Sequence, residues 1–257
     1  MKLGTYRLLV DPLYIIVIGD LHIGDDAFTE NSLKKLTGYI NWVEERDNAT
    51  IFLLGDIFNV ATRGSRTSPH KSKPLEEEVA MAIEIFTPVK DKIIGALDGN
   101  HEQRMIDYVG YSPTTTLCRE FNCGYYGNSA VIKFQVGKRM DGGKERYKHQ
   151  YVGYFQHTSG GGSTPGGKIN RIDLMRKSFA NADFFAGGHN HGLGAFPVVL
   201  PMLSNGKIVM LKQYLIDCGG YLDWSNSYAE AMQLPPQKLG SPRIRLDGKE
   251  KDLHVDI

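Results

Sequence analysis

Residues 14–22 read YIIVIGDLH, a short apolar run that ends in glycine and then in an aspartate and a histidine. Residues 50–56 repeat the arrangement as TIFLLGD, and residues 92–102 repeat it as KIIGALDGNHE. Short β-branched runs that stop at glycine predict buried strands, each followed by a loop. The predicted strands are Tyr14–Ile18, Thr50–Leu54 and Lys92–Leu97.

Two helices are predicted between these strands. Thr29–Arg46 has apolar residues at helical spacing, and Leu75–Phe86 is a second helix. Strands that alternate with helices predict a parallel sheet with right-handed crossovers. In such sheets ligands bind outside the carboxyl ends of the strands, where the polar residues of this chain lie.

The second half of the chain has a different pattern, which predicts mainly antiparallel strands. An antiparallel pair is expected around the turn Ser204-Asn205-Gly206, and a long basic hairpin is expected over Gly137–Lys148. The other predicted elements are strands at Ala130–Val136, Tyr151–Phe155 and Asp183–Ala186, and a helix at Arg171–Ala180. The last 35 or so residues show weak periodicity. Together these features predict an α/β (α+β) fold, a two-sheet sandwich flanked by helices, in a single domain of residues 1–257.

Composition narrows the functional class. The chain has 257 residues, 41% of them hydrophobic, and a formal net charge of +1. This excludes a disordered chain and a surface that is basic overall, but it leaves a local basic groove open. Three cysteines without a paired spacing favour a reducing compartment, and no apolar run is long enough to span a membrane. We therefore expect a cytoplasmic protein without a membrane partner; the sequence does not predict its oligomeric state.

Five short polar motifs carry the expected chemistry, and each falls where a strand is predicted to end. They are Asp20-Leu21-His22, Gly55-Asp56, Gly99-Asn100-His101-Glu102, His157 and Gly188-His189-Asn190-His191. Imidazole and carboxylate together suit zinc, iron, manganese and similar ions. Six or seven such ligands with one shared carboxylate suit two ions about 3.5–4 Å apart. In an extended or loop segment, Asp20 and His22 project to the same side, as do His189 and His191.

The order of these motifs resembles the calcineurin-like metallophosphoesterase superfamily. Its pattern is Asp-x-His, Gly-Asp, Gly-Asn-His-Asp/Glu, a lone His and Gly-His-x-His, and every element is present between Asp20 and His191. The resemblance implies that Asp20, His22 and His191 bind one ion and that Asp56 bridges two. It also implies that Asn100, His157 and His189 complete the second ion, and that His101 is the general acid or charge stabiliser beside the phosphate.

The implied cofactors are two divalent transition-metal ions, with Mn²⁺ expected first and iron, zinc or nickel as alternatives. The implied substrate is a phosphate ester, attacked by metal-activated hydroxide. A phosphodiesterase is favoured, with nucleic acid left open as its substrate. The alternatives are a phosphomonoesterase and a non-catalytic scaffold, which would have lost ligands.

Details of the motifs separate the branches of the superfamily. The second and third motifs of serine/threonine protein phosphatases have the forms GDxVDRG and LRGNHE. This chain has GDIFNVA and LDGNHE at these places. The arginines of that branch are therefore missing. The second motif, GDIF, looks more like the GDxF form of the SbcD-type nucleases. In the third motif, however, Glu102 stands where those nucleases usually have an aspartate.

Four further segments have open roles. Thr158–Gly167 is a flexible loop or a lid; Gly162–Lys168 fits the start of a Walker A loop, but Ile169 stands where its Ser or Thr belongs. The basic hairpin is a solvated surface or a phosphate-backbone contact. Arg63 and Arg104 either pair on the surface or reach a substrate phosphate. Tyr221, Trp224, Tyr228 and the basic residues from Lys238 to Arg245 are expected to form a substrate wall.

Overall fold

The computed structural model describes residues 1–62, 72–160, 162, 164–225, 230 and 235–257. Within these residues, twelve strands form two six-stranded sheets. The sheets face each other, and helices cover both outer faces, so the predicted fold class is confirmed.

The first sheet contains the strands that the sequence predicts for the first half of the chain. Its strands lie in the order β12-β11-β2-β3-β4-β5. They are β2 (Leu13–Ile18), β3 (Ala49–Leu53), β4 (Ile93–Ala96), β5 (Gly124–Tyr125), β11 (Arg243–Leu246) and β12 (Leu253–Asp256). β2 to β5 are parallel, whereas β11 and β12 are antiparallel additions from the tail.

The second sheet is mixed, with strand order β1-β6-β7-β8-β10-β9. Its strands are β1 (Lys2–Leu8), β6 (Ser129–Asp141), β7 (Lys144–His157), β8 (Phe184–Gly188), β9 (Leu193–Ser204) and β10 (Lys207–Cys218). β7, β8 and β10 run parallel, and β6 and β9 are joined to them as hairpins.

Five α-helices flank the sheets in the described ranges. They are α1 (Glu30–Glu44), α2 (Leu75–Phe86), α3 (Asn100–Val109), α4 (Pro113–Glu120) and α5 (Pro165–Ser178), with a 3-10 turn at Thr87–Lys92. α1, α2 and α4 bury one face against the first sheet, and α5 covers the second sheet. No helix in the described ranges is long and apolar enough to cross a membrane.

Apolar side chains from both sheets fill the space between them. Phe52 of β3 stacks on Phe155 of β7 with ring centroids 4.1 Å apart, and both rings are fully buried. Phe184 of β8 meets Phe155 edge-to-face at 5.5 Å. Burying each aromatic ring removes about 150–250 Å² from water, so this layer fixes how the carboxyl ends of β3 and β7 are placed relative to each other.

The structure corrects three expectations. The tail forms strands β11 and β12, so weak periodicity did not mean a lack of regular structure. Helix α5 begins at Pro165, six residues before the predicted start, because the Thr164 hydroxyl caps it by accepting from the Gly167 backbone N–H. The glycine-rich loop, predicted over Thr158–Gly167, is therefore shorter, because Pro165–Gly167 form the first turn of this helix.

Candidate metal centre

The predicted ligands come together at one edge of the sandwich, where the parallel strands of both sheets end. In chain order, Asp20 and His22 follow β2, Asp56 follows β3, Asn100 follows β4, His157 ends β7, and His189 and His191 follow β8. The strand ends therefore bring all seven predicted side chains to one place.

Backbone in the left-handed region aims several of these side chains. Asp20, His22, Asp56 and His191 have φ between 48° and 51°, and His189 has φ 80°. This conformation costs a non-glycine residue about 1–3 kcal/mol and persists where the surroundings impose it, often at functional sites. Each pair converges, as predicted for an extended or loop segment, but sharp turns of the loops bring the side chains together, and not the alternation of side chains along extended backbone.

Two glycines permit the close approach of the loops after β3 and β4. Gly55 has φ 84°, and a Cβ there would lie 2.5 Å from the Gly99 nitrogen. A Cβ on Gly99 would lie 2.1 Å from Asp56 Oδ1. Any side chain at either position would push Asp56 and Asn100 apart.

Asp20, His22 and His191 form the first group of facing ligand atoms. His22 Nε2 is 3.3 Å from His191 Nε2, which is 3.5 Å from Asp20 Oδ1. Two atoms that each bind one ion at about 2.0–2.2 Å lie about 3.0–3.5 Å apart, so the spacing fits a metal ion.

Asp56, Asn100, His157 and His189 form the second group. His157 Nε2 is 3.3 Å from Asp56 Oδ2 and 3.1 Å from Asn100 Oδ1, and His189 Nδ1 is 2.7 Å from the same amide oxygen. His157 Nδ1 donates to the Leu54 carbonyl at 3.0 Å, because a carbonyl only accepts. That bond leaves His157 Nε2 free to face the group, as in many metal sites.

The charges of this buried cluster favour a bound cation. Asp20 and Asp56 are at most 1% exposed, and among the described residues no Lys or Arg forms an ion pair with either. Burial raises the pKa of Asp20 to about 7 and lowers that of His191 to about 4. Burial opposes charge on His157 as well, yet attraction to Asp56 raises its pKa to about 10. Two divalent ions would satisfy this donor set.

His101 lies beside both groups, and with His22 and Asp56 it forms a further set of possible ligands whose atoms all lie within 4.8 Å of one another. Its Nδ1 donates to the Asn59 carbonyl at 2.5 Å, so Nε2 faces the centre, 4.0 Å from Asp56 Oδ2. Burial lowers the pKa of His101. The half-buried Arg104 has Nη1 3.3 Å from His101 Nδ1 and 3.3 Å from the Val60 carbonyl. The structure thus brings Arg104 to the site, whereas Arg63 lies outside the described residues.

Sequence reasoning missed Lys168 and Asp217 as neighbours of the first group. Both side chains lie against Gly192, the residue after His191: a Cβ on Gly192 would be 2.8 Å from Lys168 Cδ and 2.3 Å from Asp217 Oδ2. Lys168 is half-buried and interacts electrostatically with Asp20 and His191. The glycine-rich loop before α5, of which Gly161 and Ser163 lie outside the described residues, was the available signal.

The basic hairpin lies at the end of its sheet opposite the metal centre, so, of its two possible roles, a phosphate contact beside the metal centre does not fit the structure. Its turn precedes β7, whereas His157 ends that strand. At about 3.3 Å per residue, Lys144 is about 40 Å from His157.

The C-terminal substrate wall is also revised. The Tyr221 ring is buried, its hydroxyl bonds Ser241 at 2.9 Å, and its backbone N–H donates to the Asp20 carbonyl at 3.0 Å. Arg243 lies over the Trp42 ring, away from the predicted wall. Tyr228 lies outside the described residues.

Comparison with known proteins assigns the family. The calcineurin-like phosphoesterase family model matches residues 13–193, more than half of the chain. The chain belongs to this family. The matched range contains every predicted ligand and His101, and family membership makes the chain a metal-dependent phosphoesterase in general. No significant match was found among curated proteins.

Three solved structures are similar to this chain at low sequence identity. A predicted phosphoesterase from Streptococcus pneumoniae is 13% identical, with 95% of this chain and 88% of that chain covered and a TM-score of 0.38. The NAD nucleotidase of Haemophilus influenzae is 10% identical, with 97% and 50% covered and a TM-score of 0.43. The calcineurin-like phosphoesterase YfkN of Bacillus subtilis is 12% identical, with 80% and 91% covered and a TM-score of 0.40.

Proposed function

We propose that the chain is a dinuclear phosphodiesterase in which Asp56 bridges two divalent ions. The observation that carries the proposal is the position of Asp56 between the two groups. Its Oδ2 is 3.8 Å from His22 Nε2 on one side and 3.3 Å from His157 Nε2 on the other. Asp20, His22 and His191 would hold the first ion; Asn100, His157 and His189 would complete the second.

Two such ions, which we propose to be Mn²⁺, supply hydroxide near neutral pH and bind phosphate oxygens. The residues of the chain do the rest. The backbone N–H of His101 donates to Asp56 Oδ1 at 2.8 Å, which holds the carboxylate in place. His101 Nδ1 keeps its proton on the Asn59 carbonyl, so Nε2 can give a proton to the leaving group only from the imidazolium form, whose pKa burial lowers and the Asp56 carboxylate raises. General acid catalysis of this kind is worth about 10²–10⁴-fold.

Phosphodiesters are favoured because a diester carries one negative charge. A monoester dianion needs additional positively charged side chains to bind it. The arginines of the protein-phosphatase branch are missing from the second and third motifs. Nucleic acid remains within this proposal as one diester, although the near-neutral net charge offers no general attraction to it.

A phosphomonoesterase is the second candidate, and the positions of two cations favour it. Arg104 lies beside His101, and Lys168 lies beside His191. If both side chains bind the same phosphate, they supply the charge-assisted hydrogen bonds that the missing arginines would have given.

One substrate panel tests these candidates. After chelation, the chain is reloaded with Mn²⁺, Ni²⁺ or Zn²⁺ and given bis-p-nitrophenyl phosphate, p-nitrophenyl phosphate, and single- and double-stranded DNA. We expect the highest kcat/KM for a diester in Mn²⁺ and none in Asp56→Asn. A preference for p-nitrophenyl phosphate would establish the monoesterase, and a metal-loaded chain inactive on every ester would favour the scaffold.

A further inference from the structure

Hairpin β9–β10 extends beyond the strand that supports it. β9 pairs with β10 from Leu193 to Ser204, but β8 pairs with β10 only over Tyr214–Asp217. We call residues 196–211 the apolar arm. Because β10 runs parallel to β7 and β8, the turn of the arm lies at the opposite end of the sheet from the metal centre.

The apolar arm exposes large hydrophobic side chains on both of its faces. Leu203 and Ile208 are cross-strand partners, 77% and 73% exposed, and share a face with Met210 at 68%. The other exposed members are Phe196, Val199, Met202 and Val209. This is more apolar exposure than isolated surface hydrophobics explain.

The exposed apolar area of one face of the arm is close to what a small interface needs. If a fully exposed large apolar side chain offers about 150–200 Å², the four side chains on the face of Leu203, which are Val199, Leu203, Ile208 and Met210, together expose on the order of 400–550 Å². The largest apolar patch on a typical monomer is about 300–600 Å², and a standard interface buries about 800 Å² on each partner. This face alone therefore supplies about half to two thirds of one side of a standard interface.

The charge pattern favours a second copy of the chain as the partner. Lys207 is the one charged residue in the sequence of the arm, so the arm offers nothing with which to select a basic or acidic partner. The turn itself is polar, Ser204-Asn205-Gly206-Lys207. Inserting the tip into a lipid surface would bury these polar groups first, so the arm is better suited to lie along a protein surface.

The edge of β9 disfavours open-ended strand addition. Pro197 and Pro201 lie four residues apart in this edge strand, and each lacks the N–H that a neighbouring strand would bind. Prolines at a sheet edge prevent edge-to-edge growth. Contact through the side-chain faces remains, and a self-complementary patch closes as a two-fold dimer.

We propose that the apolar arm is a homodimer interface, in which the face carrying Leu203, Ile208 and Met210 packs against the same face of a second copy. Burial of these side chains drives association, because apolar surface is removed from water. The metal centres stay open, since they lie at the other end of the sheet in each subunit. The proposal does not depend on the phosphoesterase activity.

The full chain, loaded with Mn²⁺, tests this by sedimentation equilibrium and by light scattering during gel filtration. We expect a dimer at micromolar concentrations. The double variant Leu203→Glu/Ile208→Glu should weaken association by at least about 100-fold. Leu3→Glu is the matched control, because Leu3 is also a strand residue, 66% exposed, outside the arm. Metal content and far-UV circular dichroism of each variant should match the wild type.

Three results would overturn the proposal: a monomeric wild type at all concentrations, a dimer that persists in the double variant, or a dimer that Leu3→Glu disrupts equally. The same samples are spun with phosphatidylglycerol vesicles. A monomer that co-sediments with vesicles and loses this in the double variant would assign the arm to a lipid surface instead.

Discussion

Glu102 Oε2 accepts a hydrogen bond from the backbone N–H of Asp56 at 2.9 Å, which ties the third motif to the proposed bridging ligand. The same oxygen accepts from the Gly99 N–H at 2.7 Å, and Oε1 accepts from the Phe58 N–H at 3.0 Å. One fully buried carboxylate therefore joins the loops after β3 and β4.

Glu102→Gln should lower both stability and metal affinity. A glutamine offers one acceptor oxygen, and its amide N–H groups would face backbone N–H groups that need an acceptor. Leaving such a donor buried without a partner costs about 1–3 kcal/mol. Chemical denaturation and metal titration measure the two effects, with Glu120→Gln, a change at an exposed residue of α4, as control. Unchanged metal affinity in Glu102→Gln would show that Glu102 does not position Asp56.

His101→Ala should keep both ions but lose activity. His101 is not one of the seven proposed ligands, and its Nδ1 is held by the Asn59 carbonyl, so removal of its side chain leaves those ligands in place. The loss should approach about 10²–10⁴-fold for poor leaving groups, which need a proton, and be smaller for p-nitrophenolate. Elemental analysis and a leaving-group series measure this. A loss of metal that parallels the loss of activity would make His101 a ligand.

Lys168→Met should weaken substrate binding without removing metal. The ammonium group lies near Asp20 and His191, where a substrate phosphate could meet it. We expect kcat/KM to fall about 10–100-fold, mainly through KM, as for the loss of one charge-assisted contact. Lys177→Met, an exposed change on the same helix, should have no effect. An unchanged KM would show that Lys168 does not bind the substrate and acts only as a structural partner of Asp217.

The first half of this site could be predicted from sequence because its information is local. Asp20, Asp56 and Asn100 each follow a buried apolar run that ends in glycine, and parallel strands bring such ends together. Lys168 does not follow a buried apolar run: the glycine-rich loop before α5 was its only signal, and its contact with Gly192 depends on how α5 packs against the second sheet. The left-handed φ of Asp20 and Asp56 also depends on tertiary contacts.

Strands β1 and β11 were not predicted from the sequence because they are stabilised by pairing with distant segments of the chain. β1 pairs with β6, about half the chain away, and β11 pairs with β2. Neither strand has a strong local pattern, so partners supplied by the rest of the sheet stabilise it. The sequence did not predict that one continuous strand, β7, runs from the basic hairpin to His157 and so separates them by its whole length. Periodicity predicted the arm strands around Asn205, but it could not show that their side chains are exposed.

Glu78→Gln should stabilise the chain above neutral pH. Burial raises the pKa of Glu78 from 4.5 to about 7, although Oε2 accepts from the Val60 N–H at 3.0 Å. The folded state therefore holds the proton to higher pH than the unfolded chain, and stability falls as pH rises from about 4.5 through about 7. The difference corresponds to about 3 kcal/mol.

Denaturation at pH 5.5 and pH 8 measures the effect of Glu78. The loss of stability between these values should shrink in Glu78→Gln and stay unchanged in Glu84→Gln, an exposed residue of the same helix. An equal pH dependence in Glu78→Gln and the wild type would mean that Glu78 is not the group responsible.

The metal content of the chain tests the central claim most directly. After chelation, reloading with Mn²⁺ and removal of free ion, elemental analysis should give close to two equivalents per chain. Asp56→Asn, which weakens a ligand shared by both ions, should lose more metal than His22→Ala or His157→Ala, each of which lies on one side. A wild-type chain that hydrolyses phosphate esters in chelator, or that binds one equivalent while fully active, would contradict the account.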